Sequence, residues 1–307
     1  MELIRGLVNL RERHPSCAVT LGTYDGIHLG HQVLLRSLTD HAARLKRPAM
    51  LLTFEPMPRE FFAPENPPSR LTSLRERWRI LAPLGLDYLG LLHFNARLRN
   101  MTGEEFAQFL ARDLGVAMVV VGHDFKFGRG GATTAQALAE SGRRLGFGVE
   151  IIEPVMLGDV RVSSRGIREA LERSDFAQAA RWLGRPYSMI GRVGRGERLG
   201  HKLGYPTANL RLGRLRSPVQ GIFAVYVHGV GEGPLPGVAS LGTRPTVGGG
   251  RPLLEAHVFD FDGDLYGREI EVEFVVKLRE EQHFASLDAL VEQMHDDAAQ
   301  ARRILNS

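Results

Sequence analysis

The chain has 307 residues, 43% hydrophobic and 24% charged, with a formal net charge of +4 and one cysteine, Cys17. That composition excludes a disordered chain, and a lone cysteine excludes an intrachain disulfide and fits a reducing cytoplasm. No apolar run reaches the ~18–20 residues of a membrane span, residues 1–14 hold no apolar signal core, and the basic residues are scattered without a Lys/Arg-rich run, which weighs against nucleic acid.

The length predicts two domains. In the first half, continuous apolar runs at 18–22, 49–54, 88–94, 118–122 and 149–155 read as strands buried on both faces of a parallel sheet. Helical spacing fills the gaps: after His31 (Leu34, Leu35, Leu38, Ala42, Leu45), then 74–81, 104–114 and 135–145. Strand–helix alternation predicts a doubly wound α/β domain, with ligands at the C-terminal strand ends. Two short helices at 164–172 and 175–183 lead to a Gly-Arg-Pro stop at Gly184. Beyond it, glycine and proline punctuate β runs at 188–193, 222–228, 237–241, 254–261 and 270–277, which read as an antiparallel barrel or sandwich. A helix over 287–305 closes the chain. The boundary is placed at residue 185, with 186–307 expected to fold alone.

The densest signal in the first half is Gly22-Thr23-Tyr24-Asp25-Gly26-Ile27-His28-Leu29-Gly30-His31, between a buried strand and a helix. Its glycines allow close backbone approach, the helix start offers N–H groups to phosphate, and two histidines can donate to phosphoryl oxygens. The same residues also allow a plain turn with solvated histidines, or a His-x-x-His metal site. Ser164 and Arg168, taken alone, read as a helix cap and a surface charge.

In the second half, Gly200-His201-Lys202-Leu203-Gly204-Tyr205-Pro206-Thr207-Ala208-Asn209 combines glycines that admit phosphate with two hard oxygen donors, Thr207 and Asn209, suited to Mg2+. It also reads as an ordinary turn. Glu255 lies on a predicted strand, out of phase with Leu254, Ala256 and Val258, and so on the polar face, where a solvated carboxylate is the plain reading.

Taken together, these segments resemble a known family. The first resembles the His-x-Gly-His signature of nucleotidyltransferases in its FAD synthetase branch, joined by Thr53-Phe54-Glu55-Pro56, Arg70-Leu71-Thr72, Gly122-His123-Asp124-Phe125-Lys126-Phe127-Gly128 and Ser163-Ser164-Arg165-Gly166-Ile167-Arg168. The second resembles the Pro-Thr-Ala-Asn motif of riboflavin kinases, followed by Gly237–Thr246, Leu254–Phe261 and Lys277-Leu278-Arg279. The chain is therefore identified as a member of the bifunctional riboflavin kinase/FAD synthetase family of prokaryotic type.

The resemblance implies a nucleotidyltransferase domain over 1–185, then a riboflavin kinase domain over 186–307 built as a six-stranded-type antiparallel barrel with a C-terminal helix. It implies phosphorylation of riboflavin to FMN by ATP and adenylylation of FMN to FAD, with Mg2+ as cofactor. Catalytic roles fall on Glu255 as general base and on His28, His31 and Arg168. ATP and phosphates fall on Gly22, Asp25, Gly30, Ser164, Gly200 and Gly204, flavin on Asp124, Phe125 and Arg279, and metal on Thr207 and Asn209. No membrane or nucleic-acid partner is implied, and flavin-dependent apoproteins are the expected recipients of the product. Met57, Arg165 and the segment 130–134 depart from the family pattern, which leaves open a kinase with a slow or altered first domain, or a binding regulator without turnover.

Overall fold

The structure is a computed structural model and describes residues 1–6, 9, 16–195, 204–243 and 252–306. The chain packs into two units: residues 1–68 with 77–163, and residues 69–76 with 164–307.

The first unit holds strands β1 (Glu2–Arg5), β2 (Cys17–Leu21), β3 (Ala49–Phe54), β4 (Tyr88–Leu92), β5 (Val116–Gly122), the two-residue β6 (Lys126–Phe127) and β7 (Thr133–Thr134), β8 (Gly148–Ile152), β9 (Met156–Leu157) and β10 (Val160–Arg161). Six of them form one parallel sheet in the order β1-β4-β3-β2-β5-β8. Every residue of β2 is buried, as expected of a strand covered on both faces. The chain winds outward from β2 through β3 to β4, then returns to place β5 on the other side of β2. The order thus reverses between β2 and β5, the place where open α/β sheets bind ligands at their carboxyl ends.

Strand β1 escapes the sequence pattern because four residues with charges at both ends carry almost no periodicity. The helix expected over 104–114 is an α-helix, Gly103–Gln108, continued by a π turn, Phe109–Asp113.

In the second unit, β11 (Ser188–Gly194), β12 (Ala208–Arg211), β13 (Gly221–His228), β14 (Leu235–Thr243), β15 (Pro252–Val258) and β16 (Glu269–Arg279) close into an antiparallel barrel, order β11-β12-β15-β14-β13-β16. Alternation sorts their faces: Leu254, Ala256 and Val258 point inward, while Leu253, Glu255 and His257 are only partly buried. Phe176, from the helix Phe176–Leu183, packs against Phe223 and Phe274. The helix Leu287–Leu305 buries Ala298, Ala301 and Leu305 against Ala224, Tyr205 and Phe259.

Residues 69–76 join this unit through a buried ion pair. Arg214 Nη2 donates to both carboxylate oxygens of Glu76 at 2.6 and 2.5 Å, and Glu76 also accepts from the backbone of Ile190 and Ser73. Removing one member of such a pair strands a buried charge and costs about 3–5 kcal/mol.

Candidate active sites

In the first unit, the loop after β2 carries the predicted residues. Its backbone passes through three left-handed positions, Tyr24 (φ 47°), Gly26 (φ 87°) and Ile27 (φ 45°). Only glycine adopts that conformation freely. For Tyr24 and the β-branched Ile27 it costs on the order of 1–3 kcal/mol each. Burial holds them there, Ile27 at 0% exposure and Tyr24 at 2%. Tyr24 also donates its hydroxyl to Thr20 Oγ1, which in turn donates to the Val120 carbonyl.

His28 is the N-cap of the helix Leu29–Leu45, its Nδ1 accepting from the His31 backbone N–H at 3.3 Å. With Nδ1 accepting, the neutral ring carries its proton on Nε2. The His28 and His31 rings stack at 3.7 Å, and Tyr24 lies 4.6 Å from His31. Burial, with His28 beside it, holds the His31 imidazole well below the ordinary histidine range, so it is neutral near pH 7. Its Nδ1 is buried without a hydrogen-bond partner among the described residues. Asp25 is buried at the base of the same loop.

Gly22 and Gly30 each lie against an aromatic ring of this chain. A Cβ at Gly22 would meet the Tyr24 ring at 3.1 Å, and one at Gly30 the His28 ring at 3.1 Å. Their missing side chains make room for two aromatic rings of this chain.

Next to the loop, the ends of β3, β4 and β5 build a cavity of about 620 Å3 walled by Phe54, Phe62, Phe94, Phe106, Phe125 and Phe127, with Arg59, Arg99 and Lys126 also lining it. Flat apolar walls and cations suit an aromatic anion. Phe125, an expected flavin contact, lines this cavity. Asp124 does not: its carboxylate pairs with Arg161 at 2.6 Å. Partial burial raises that carboxyl, but the Arg161 hydrogen bond and charge outweigh it and hold it below the ordinary range. Gly130 and Gly131, in the segment that departs from the family pattern, line the same cavity, and Met57 is a buried core residue.

Ser164 and Arg168 open a helix of the second unit, Ser164–Glu172. Arg168 donates to the Ser69 carbonyl at 2.6 Å and to the Ser164 carbonyl at 3.2 Å. Arg165 is 85% exposed and pairs with Glu169.

The barrel site follows from strand register. Antiparallel pairing sets Asn209 opposite Glu255, Glu255 opposite Ser240, Ser240 opposite Ile222, and Ile222 opposite Arg279. These five residues form one girdle on the barrel exterior, and all five line a cavity of about 780 Å3 whose far wall is the chain from Glu281 to the helix Leu287–Leu305. Asn209 and Glu255, 46 residues apart in sequence, and Ile222 and Arg279, 57 apart, thus meet as cross-strand neighbours about 5 Å apart at Cβ. Thr207 and Asn209 line this cavity and also a second one of about 410 Å3, bounded by Val193, Phe261 and Tyr266. The two hard oxygen donors therefore stand where two cavities meet. Asn209 Nδ2 donates to the Thr207 carbonyl, which leaves its Oδ1 as the end that can hold a cation.

Arg279 lines the larger cavity but is held by Asp297, Nε to Oδ1 at 2.9 Å and Nη2 to Oδ2 at 2.7 Å, on a carboxylate that is itself buried. Gly204 takes φ +83°, in a turn only glycine enters freely. Gly200 lies outside the described residues. Sequence reasoning does not single out Ser240, Ile222 or Asp297. Period-two phasing from Glu255 places residues on the polar face, but which strands flank it is set by pairing.

Similarity to known proteins follows the same order along the chain. Residues 10–166 match the FAD synthetase family and residues 183–305 the riboflavin kinase family. A bifunctional riboflavin kinase/FMN adenylyltransferase of Escherichia coli (strain K12) is 44% identical over 304 residues, 98% of this chain and 97% of that protein. One of Pseudomonas fluorescens is 45% identical over 306 residues, 99% and 98% of the two chains. A crystal structure described as a macrolide-efflux protein from Streptococcus pneumoniae shares the fold, with a TM-score of 0.78, 30% identity and 97% of both chains covered.

Proposed function

The chain belongs to the bifunctional riboflavin kinase/FMN adenylyltransferase family, and we infer that it makes FMN from riboflavin and ATP, then FAD from FMN and a second ATP. In this reading residues 1–185 carry adenylyl transfer and residues 186–307 the kinase. The observation that carries it is the barrel girdle: Asn209, Glu255, Ser240, Ile222 and Arg279 share one row facing one cavity.

Glu255 takes the proton from the ribityl hydroxyl as that oxygen attacks the γ-phosphorus of ATP and ADP leaves. Riboflavin occupies the larger cavity, closed by the C-terminal helix, and the nucleotide the smaller. Thr207 and Asn209 at their junction would hold Mg2+. Among the described residues no group of three or more acidic, histidine or cysteine side chains could hold a metal, so the site would use two protein oxygens plus phosphate oxygens and water, the usual habit of Mg2+. Bound there, Mg2+ offsets phosphate charge.

In the first half, the FMN ring lies among the phenylalanines and its phosphate oxygen attacks the α-phosphorus of ATP, displacing pyrophosphate. His28 donates from Nε2 to the charge that develops on the phosphoryl oxygens. His31, neutral and buried, keeps the His28 ring in place by stacking.

Flavin-dependent apoproteins would receive the product. A cytoplasmic site of action is part of this reading; it rests on the single cysteine of the sequence, Cys17. No helix among the described residues is long and apolar enough to cross a membrane. Incubation with riboflavin and Mg–ATP, followed by product chromatography, tests the assignment: FAD is expected, FMN alone would limit the first half to a lesser role, and neither product would refute the reading.

A further inference from the structure

We propose that Arg77 is a positioning residue for adenylyl transfer, fixing the His28 loop relative to the wall of the phenylalanine cavity. This rests on the assignment of FAD formation to the first half.

Arg77 is 1% exposed and, among the described residues, heads the fully buried side chains by volume. One arm of its fork, Nη1, donates to the Thr23 carbonyl at 3.1 Å and to Thr53 Oγ1 at 3.0 Å. The other, Nη2, donates to Glu55 at 3.0 Å. Thr23 opens the loop that holds Tyr24 and Ile27 at left-handed φ and ends in His28. Thr53 lies on β3, and Glu55 just beyond it begins the passage to Phe62, a wall of the aromatic cavity. A single rigid cation therefore ties the nucleotide loop to the flavin wall.

A planar fork suits this task because it bonds two directions at once. The strained loop gives the reason such a tie is needed: two of its residues occupy a conformation that the chain leaves unless its surroundings hold it. The loop's far end has its own anchor, Gln32 Nε2 donating to the Ile27 carbonyl at 3.0 Å. At the near end, Arg77 brings a charged donor to the Thr23 carbonyl, which also accepts from Thr53 Oγ1 at 3.3 Å.

The consequence is kinetic. Both substrates still bind when the tie is cut, but the attacking phosphate and the His28 ring lose their alignment, and misplacement by about 1 Å costs on the order of 100-fold in rate. Arg77→Met in the full chain should therefore lower kcat for FAD formation by about 100-fold. KM for FMN and for ATP should stay within about threefold, and FMN formation by the same molecules should be unchanged. Arg77→Lys, still charged and still a donor, should recover at least about tenfold of that loss. Because a buried Arg→Met change can unfold the first unit, Thr53→Val and Glu55→Gln are made alongside. Each alters one partner of the fork and should lower kcat by roughly 3–10-fold with the melting temperature kept. A purely structural role predicts a lower melting temperature with wild-type kcat in the folded protein. That result in Arg77→Met, or wild-type kcat in both partner variants, overturns the proposal. A wild-type enzyme that makes no FAD would instead remove the reading beneath it.

Discussion

Replacing Glu255 with glutamine removes the proposed base and keeps the length of the side chain. The side chain stands outside the barrel wall, between Asn209 and Ser240, while its strand neighbours Leu254 and Ala256 fill the interior at 0% and 1% exposure. Glutamine has the same length and keeps one acceptor oxygen, so no cavity opens and the stability change should stay within about 0.5 kcal/mol. Proton removal by a positioned base contributes about 10²–10⁴-fold, which at 1.36 kcal/mol per tenfold is about 2.7–5.4 kcal/mol of transition-state stabilisation. The riboflavin cavity, Arg279, Thr207 and Asn209 are untouched, so riboflavin affinity should hold within about threefold and the loss should fall on kcat. Stopped-time chromatography of FMN, with isothermal titration of riboflavin, measures both. FAD formation from supplied FMN is the internal control and should be unchanged. Glu255→Gln turnover within tenfold of wild type would mean that the proton leaves by another route, and the catalytic assignment in the barrel would fall.

Three further outcomes are expected. His28→Ala should lower FAD formation by about 100-fold or more and leave FMN formation intact; His28→Asn keeps an acceptor for the helix N-cap, so an equal loss there separates chemistry from capping. Thr207→Ala and Asn209→Ala should raise the Mg2+ and ATP concentrations needed for half-maximal FMN formation without changing FAD formation from FMN, read from steady-state titrations. His31, held below its unfolded value of 6.5, takes up its proton more readily in the unfolded chain, so its contribution to stability is full above pH 6.5 and is lost as pH falls below it; thermal melts of wild type and His31→Gln between pH 7.5 and 5 should converge in slope if the reasoning fails.

Much of this is legible in local pattern. The continuous apolar runs at 49–54 and 118–122 announce strands covered on both faces, and β3 and β5 are such strands. The alternation of Ile270, Val272, Phe274 and Val276 announces a half-buried strand, and the first three point inward on β16, while Val276 is exposed because a register shift against β13 breaks the parity after Phe274. The glycine- and histidine-rich segment between a strand and a helix marks the loop at the carboxyl end of β2, and Glu255 falls on the outward face by parity alone. These signals survive because burial repeats every two residues in a strand and every 3.6 in a helix, so they are written within a few residues of one another.

Pairing is written nowhere locally. Which strand lies beside Glu255 depends on barrel closure, and only that closure makes Asn209, Ser240, Ile222 and Arg279 one row. Arg279 reads from sequence as a flavin contact, yet a carboxylate 18 residues on holds its guanidinium. Gly22 and Gly30 stand out in sequence only as glycines, and tertiary packing is what sets the Tyr24 and His28 rings against them. Residues 69–76 and 164–185 give no local sign that they pack with the barrel; the Arg214–Glu76 pair and the Phe176 contact decide it. Arg77 lies in a charged helical run that the sequence does not single out, and the approach of Thr23, Thr53 and Glu55 is what makes its burial favourable. Local pattern establishes the elements, their faces and the chemistry available to them. Closure of the chain in space settles which of those groups meet, because a buried charge or a cross-strand row is stabilised only by partners brought from far away along the sequence.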